Sequence, residues 1–463
     1  IAVAKIPLQA VKVQTSAAPD AKATALVTST EPATKSTAPA TKSTVGAKPP
    51  VRQKSLAVVF QESIDENSRH PKEEVQLAAV AALKAFAENC YSFPPKAAAH
   101  ELVDKLVNGL KTVQNTETNA ALRRGYTLSL GVLPKYFFLY DKVNKLDDAV
   151  NALIGAAKIE AQVEARDAET RRNAVIGLIN LVRTVGTQSQ ASEGLNAEQC
   201  KRIFDALVQC LSDYCTDNRG DVGSWVREQS MTAIKDFSLM LLQHDVTFTQ
   251  EKPLLTEEAV VLAVQKLVQM SFEKIDRVRM NAARCLQAIL QHEPQVPYVP
   301  HRVDLEAIYN PMKESYSWIN TAITFPLVVT LMRFDIFREH VLLGIIPYLG
   351  ANQLLVMESG NALLDYVKQL KKSYETENNN TGTHELVKTA EAILSVFKNN
   401  QKYDRVVIPL LKVVSHLLAH DCFRPLQPTQ HPFAVELIKL VKNEIQNSKD
   451  IMKLMASNYV FCW

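Results

Sequence analysis

Residues Asp213 to Ile234 read Asp-Tyr-Cys-Thr-Asp-Asn-Arg-Gly-Asp-Val-Gly-Ser-Trp-Val-Arg-Glu-Gln-Ser-Met-Thr-Ala-Ile. The first half is turn chemistry: Asn218, Gly220 and Gly223 favour reversals, and Asp221 or Ser224 can accept the free N–H groups at a helix start. From Trp225 onward the apolar positions recur at helical spacing and continue to Leu242. Within that helix five positions stand out. Val226 is followed by Arg227, then by the small residues Ser230 and Ala233 three and six places later, then by Ile234. Small side chains at those offsets share one face and let a neighbouring helix come close.

The same five points recur at Val75/Gln76/Ala79/Ala82/Leu83, Leu122/Arg123/Tyr126/Ser129/Leu130, Thr170/Arg171/Ala174/Gly177/Leu178, Val278/Arg279/Ala282/Cys285/Leu286 and Phe337/Arg338/Val341/Gly344/Ile345. The reference slots step by 47, 48, 56, 52 and 59 residues. That is about the length of a two-helix HEAT or armadillo unit with variable loops. A weaker seventh copy starts at Tyr403/Asp404 and continues through Val407, Leu410 and Leu411. An acid six residues before the Arg would tie such units together; Asp221 and Glu273 satisfy that spacing while Arg171 and Arg338 have no acid there, so the expected acid–base ladder is partial.

Composition agrees with an all-α, HEAT/armadillo-type helical repeat solenoid. The 463 residues are 47% hydrophobic and include only 14 glycines. Residues 1–55 read differently: rich in Ala, Thr, Ser, Lys and Pro, without an aromatic residue, they form an expected disordered basic arm. That arm carries Lys5, Lys12, Lys22, Lys35, Lys42, Lys48, Arg52 and Lys54 against Asp20 and Glu31, which leaves 44 basic and 47 acidic side chains for the rest. No basic stripe of the kind nucleic acid needs stands out. Helical repeats are expected over 56–372, a polar linker over 373–383 and further repeats over 384–463. Within them Leu122–Tyr140, Glu257–Glu273, Arg277–Gln291 and Phe325–Leu349 each read as one helix, the first ended or kinked by Gly131 and Pro134. Residues 292–311 read as a Pro-rich loop. The first residue is Ile1 and the last, Trp463, falls inside an apolar helical pattern, so both ends look cut.

The seven cysteines (Cys90, Cys200, Cys210, Cys215, Cys285, Cys422, Cys462) contain no C-x-x-C pair and read as reduced thiols of a cytoplasmic protein. No apolar run has membrane-spanning length. Phosphate-loop, dinucleotide, nucleophile-elbow and zinc-protease motifs are missing, which removes the usual support for an enzyme. His416, His420, Asp421 and Cys422 come nearest to metal spacing, yet they read better as a helix stripe and its end. No cofactor, metal or catalytic residue is expected. The candidate partner-binding residues are Asp217, Arg219, Asp221, Trp225 and Arg227, because solenoids bind through loops and inner helix faces. For Arg227 a structural tie between repeats is the alternative; for Trp225 it is a core plug.

At this point the residues resemble one family, tubulin-folding cofactor D, the tubulin-specific chaperones. The resemblance rests on Asp213-Tyr214, Asp217 to Gly223 and Trp225-Val226-Arg227-Glu228. Further matches fall in family order from about residue 70 onward: Arg124-Gly125-Tyr126, Glu169 to Ala174, Val299-Pro300-His301-Arg302, His340 to Gly344, Arg405-Val406, Pro409 to Lys412 and Asn447 to Ile451. The piece is similar to the family's C-terminal half. The resemblance implies a helical-repeat scaffold whose intact form holds β-tubulin and works with cofactors C and E and an ADP-ribosylation-factor-like small GTPase. It also implies assembly and dismantling of the αβ-tubulin dimer, stimulation of GTP hydrolysis by tubulin, and a cytoplasmic, cytoskeleton-associated location. An activator of that sort is not an enzyme with its own site. The competing expectation is a generic HEAT scaffold or transport receptor for other proteins.

Overall fold

The structure is a computed structural model and describes residues 55–447 except 92–96, 189–192, 250, 312–317, 348–352, 377–383 and 427–430; at 353–359 and 447 it describes the backbone alone. The basic arm apart from Ser55, residues 377–383 of the polar linker and the apolar pattern near Trp463 therefore lie outside the described residues, while 373–376, expected as linker, instead end the helix Gln353–Thr376. Seventeen α-helices occupy the described part, with strands confined to two antiparallel pairs of two-residue strands.

The first ten helices are α1 (Leu56–Ser68), α2 (Glu73–Cys90), α3 (Ala97–Lys111), α4 (Glu117–Val132), α5 (Leu146–Ala157), α6 (Ala168–Val185), α7 (Ala197–Cys210), α8 (Gly223–Thr247), α9 (Glu257–Met270) and α10 (Asp276–Leu290). Their starts are written in the sequence. Thr116, Asp167, Asn196 and Thr256 each accept the N–H three residues on, and Asn196 with Gln199 completes a reciprocal capping box. Their faces are written there too. In α7 the buried residues Cys200, Ile203, Phe204, Leu207 and Val208 keep the three-four spacing of a single stripe.

Those stripes stack in two rows: α2, α4, α6, α8 and α10 pack each on the next, and α3, α5, α7 and α9 run alongside as their partners. The small residues of the five-point pattern do what their spacing requires. A Cβ on Gly177 would meet the carbonyl oxygen of Thr127 on α4 at 2.3 Å. One contiguous apolar core runs through the pairs.

Seven more helices follow: α11 (Arg302–Tyr309), α12 (Thr321–Val329), α13 (Asp335–Ile345), α14 (Gln353–Thr376), α15 (Glu385–Asn400), α16 (Asp404–Ala419) and α17 (Phe433–Asn447). Here the stacking changes rows. The Arg338 helix, α13, packs on α9 instead of continuing beyond α10, and α15 and α17 follow it; α12, α14 and α16 form the accompanying row. A Cβ on Gly344 would meet the Gln269 carbonyl oxygen of α9 at 2.6 Å.

Three further expected elements are corrected. The single helix over Phe325–Leu349 is two helices parted by a 3-10 turn at Thr330–Arg333. Pro326 lies inside the first, and the apolar run hides the break because Leu331 and Met332 are buried in the turn itself. The helix begun at Leu122 starts at Glu117 and stops at Val132, after which Phe137 and Phe138 are buried in a 3-10 turn and its exit. The Pro-rich loop contains α11, whose Leu305 and Tyr309 are core residues. No described helix is long and apolar enough to cross a membrane.

Candidate functional site

The reference residues of the repeats converge on one internal line. Gln76, Arg123, Arg171, Arg227, Arg279 and Arg338 are all buried, and Arg171, Arg227 and Arg279 are 0% exposed. A guanidinium in that position is strongly unfavourable unless acceptors surround it. The acceptors come from the loops between helices. Glu160 takes Arg123 Nη1 at 3.0 Å with one oxygen and Arg171 Nη1 at 2.6 Å with the other. Arg171 Nε donates to Asp213 at 2.7 Å, and the Asp213 carbonyl oxygen receives Arg227 Nη1 at 2.6 Å. Arg227 pairs with Glu273 at 3.1 Å, and the Glu273 carbonyl oxygen receives Arg279 Nη1 at 2.6 Å. Even Gln76 follows the rule, donating to Ala121 O at 3.0 Å.

The ladder is therefore continuous from Arg123 to Arg279, where the six-residue spacing suggested a partial one. Glu273, six residues before Arg279, turns its carboxylate to the Arg of the preceding repeat. Glu160 and Asp213 escaped the spacing rule because loop length, not helix period, sets their distance from the Arg. Burial alone would lower the Arg171 pKa, and Asp213 with Glu160 outweighs it and raises the net value. Arg227 is likewise raised, burial again opposed by Glu273 and Asp221.

Asp213 begins the segment that leads to the surface. Gly223 N donates to Cys215 O at 2.9 Å, and a Cβ on Gly223 would meet Asp213 O at 2.4 Å, so this close approach requires glycine. Between them Thr216–Asp217 pairs with Gly220–Asp221 in a small hairpin, with Gly220 at φ +103°. Asp221 receives Ser224 N at 3.1 Å, starting α8, and both its oxygens take Arg227, at 3.1 and 3.0 Å.

The five candidate residues thus divide. Asp217 and Arg219 are exposed and paired, Arg219 Nη2 to Asp217 at 2.7 Å and Nη1 to Glu169 at 2.5 Å. Trp225 is half-buried, packed against the core on one side and with the Arg219 guanidinium 4.9 Å from its ring centre. Asp221 is partly exposed but serves the ladder. Arg227 is enclosed and offers no surface to a partner.

Two residues that had only marked the resemblance complete the site. Tyr214 donates its hydroxyl to Glu273 at 2.9 Å, with Arg227 4.0 Å from its ring centre and Arg405 of α16 in direct contact with the ring. Beside it lies a cleft of about 490 Å³, walled by Met270, Leu343, Ile408 and Pro409 and rimmed by Asp221 and Lys274. Among the described residues no group of three or more His, Cys, Asp and Glu side chains is placed to hold a metal ion; His416 and His420 stack edge-on, and His420 Nδ1 lies 2.9 Å from the His416 carbonyl oxygen.

The Arg124–Asp167 pair is expected to respond to acid. Arg124 grips Asp167 through Nε at 2.7 Å and Nη2 at 2.5 Å, while Asp167 also caps α6. Burial pushes this carboxyl up, but the Arg124 hydrogen bonds and charge overcome it and hold Asp167 at about 2. A carboxyl depressed in the fold stabilises above its unfolded value and loses that contribution as pH falls. Between about pH 4 and pH 2 roughly 2 kcal/mol should disappear. Urea midpoints across that window should show a loss that Arg124→Leu abolishes.

Residues 262–453, from α9 onward, match the family model described as tubulin folding cofactor D C terminal. The chain is 26% identical over 388 residues to tubulin-specific chaperone D of Dictyostelium discoideum, covering 78% of this chain and 25% of the relative. It is 28% identical over 233 residues to tubulin-folding cofactor D of Schizosaccharomyces pombe, covering 50% of this chain and 20% of the relative. The chain thus spans a quarter or less of the curated relatives it matches. The resemblance to tubulin-folding cofactor D thus extends over 78% of the chain, with residues 262–453 matching the model of that family's C-terminal part.

Proposed function

We propose that this chain is a tubulin-chaperone scaffold that holds β-tubulin and works with cofactors C and E and an ADP-ribosylation-factor-like small GTPase in building and dismantling the αβ-tubulin dimer. In that role it promotes GTP hydrolysis by tubulin as part of the assembly and has no reactive site of its own, acting in the cytoplasm beside the cytoskeleton. The observation that carries the reading is the family match over 262–453 together with relatives named for tubulin folding. The disposition of charge supports it: the buried ionic groups are spent on joining repeats, which leaves the breadth of the stack to do the holding. Shielding an aggregation-prone surface needs area more than chemistry.

The exposed hairpin is the contact surface in this reading. Asp217 and Arg219 sit outside the ladder, so their reversal should weaken partner capture without loosening the stack. Asp217→Lys with Arg219→Glu should reduce co-elution with purified β-tubulin about tenfold at low salt, with melting temperature little changed. Undiminished co-elution would remove the hairpin from the contact, and failure of the unaltered chain to retain β-tubulin would count against the reading itself.

A further inference from the structure

The ladder and the later helices are held by separate means. At Arg279 the ladder turns to backbone, donating to Trp318 O at 2.7 Å and Ile319 O at 3.2 Å, while Arg338 joins α13 to Glu385 of α15 within a separate cluster that includes Asp335 and Lys388. The rows change at the same place, α13 stacking on α9. A side-chain contact reaches back from the later rows to the residue just ahead of the hairpin: Arg405, second residue of α16, on the ring of Tyr214.

We propose that Tyr214 and Arg405 form a releasable latch that fixes the α12–α16 row against the hairpin and keeps the intervening cleft narrow. The two guanidiniums on this ring are unequal. Arg227 is held by Asp221, Glu273 and the Asp213 carbonyl oxygen and cannot leave. Arg405 makes no ion pair among the described residues, and α16 is otherwise packed on α14 and α15. Two like charges against one ring repel each other, so Arg405, the less anchored of the two, is the one that can part. A cation–π contact of this kind biases a two-state equilibrium by roughly tenfold, enough to set a resting position and weak enough for a partner to displace. The cleft wall supplies the moving surface, since Ile408 and Pro409 follow Arg405 on the same helix.

Hydrogen exchange on the full chain tests this without tubulin, so its outcome is independent of the chaperone reading. Arg405→Ala should raise exchange about tenfold in the Tyr214–Asp221 hairpin and the first turn of α16, with α4 and α6 unchanged. Tyr214→Leu should reproduce the α16 effect, and Arg405→Lys, still a cation, should show less of it. Unchanged exchange at both segments in Arg405→Ala, or an equal rise throughout α4 and α6, would overturn the latch.

Discussion

Arg227→Leu is expected to be the most damaging single substitution in the stack, lowering stability by about 3–5 kcal/mol. The side chain is wholly enclosed, and its loss strips partners from Glu273, Asp221 and the Asp213 carbonyl oxygen at once. Most of the expected cost is the uncompensated negative charge left behind, not the attraction removed. Removing that charge as well should help, so Arg227→Leu with Glu273→Leu should be more stable than the sum of the two single losses. Urea midpoints of the four proteins measure the coupling. Strict additivity, or a loss below 1 kcal/mol for Arg227→Leu, would show that the ladder contributes little.

Gly177→Val is the second large expected loss, and it probes close packing instead of charge. The added Cβ would lie 2.3 Å from the Thr127 carbonyl oxygen and 3.0 Å from the Leu153 side chain, distances that force α4 and α6 apart. Overpacking in a dense interior costs about 1–3 kcal/mol, and a clash with backbone belongs at the upper end. Gly155 of α5 is the control. Nothing lies within 4 Å of a Cβ built there, so Gly155→Ala should be neutral or gain up to about 1 kcal/mol from helix propensity. Thermal unfolding of the pair separates the two contributions.

What could be read from the residues followed the helix period closely. The five-point pattern identified the Arg helices because its offsets are fixed by 3.6 residues per turn, and Gly177 and Gly344 occupy the close contacts that their slot implies. The carboxylate partners were harder. Glu160 and Asp213 lie in connections whose length varies, so no constant offset marks them, although each is an acid just ahead of an Arg helix. The change of rows at α13 was invisible for another reason: Arg338 keeps the pattern while its helix finds a different neighbour. Of the surface candidates, Asp217 and Arg219 were recognisable as turn residues, whereas the enclosure of Arg227 and the contact between Tyr214 and Arg405 depend on side chains far apart in the chain.

Glu160 gives one oxygen to the Arg of one unit and the other to the Arg of the next. Neighbouring units with a common counter-ion cannot melt one at a time without stranding it, so domains of this kind should come apart in blocks instead of fraying link by link. A harmful change at one rung would then be inherited by the units on both sides of it.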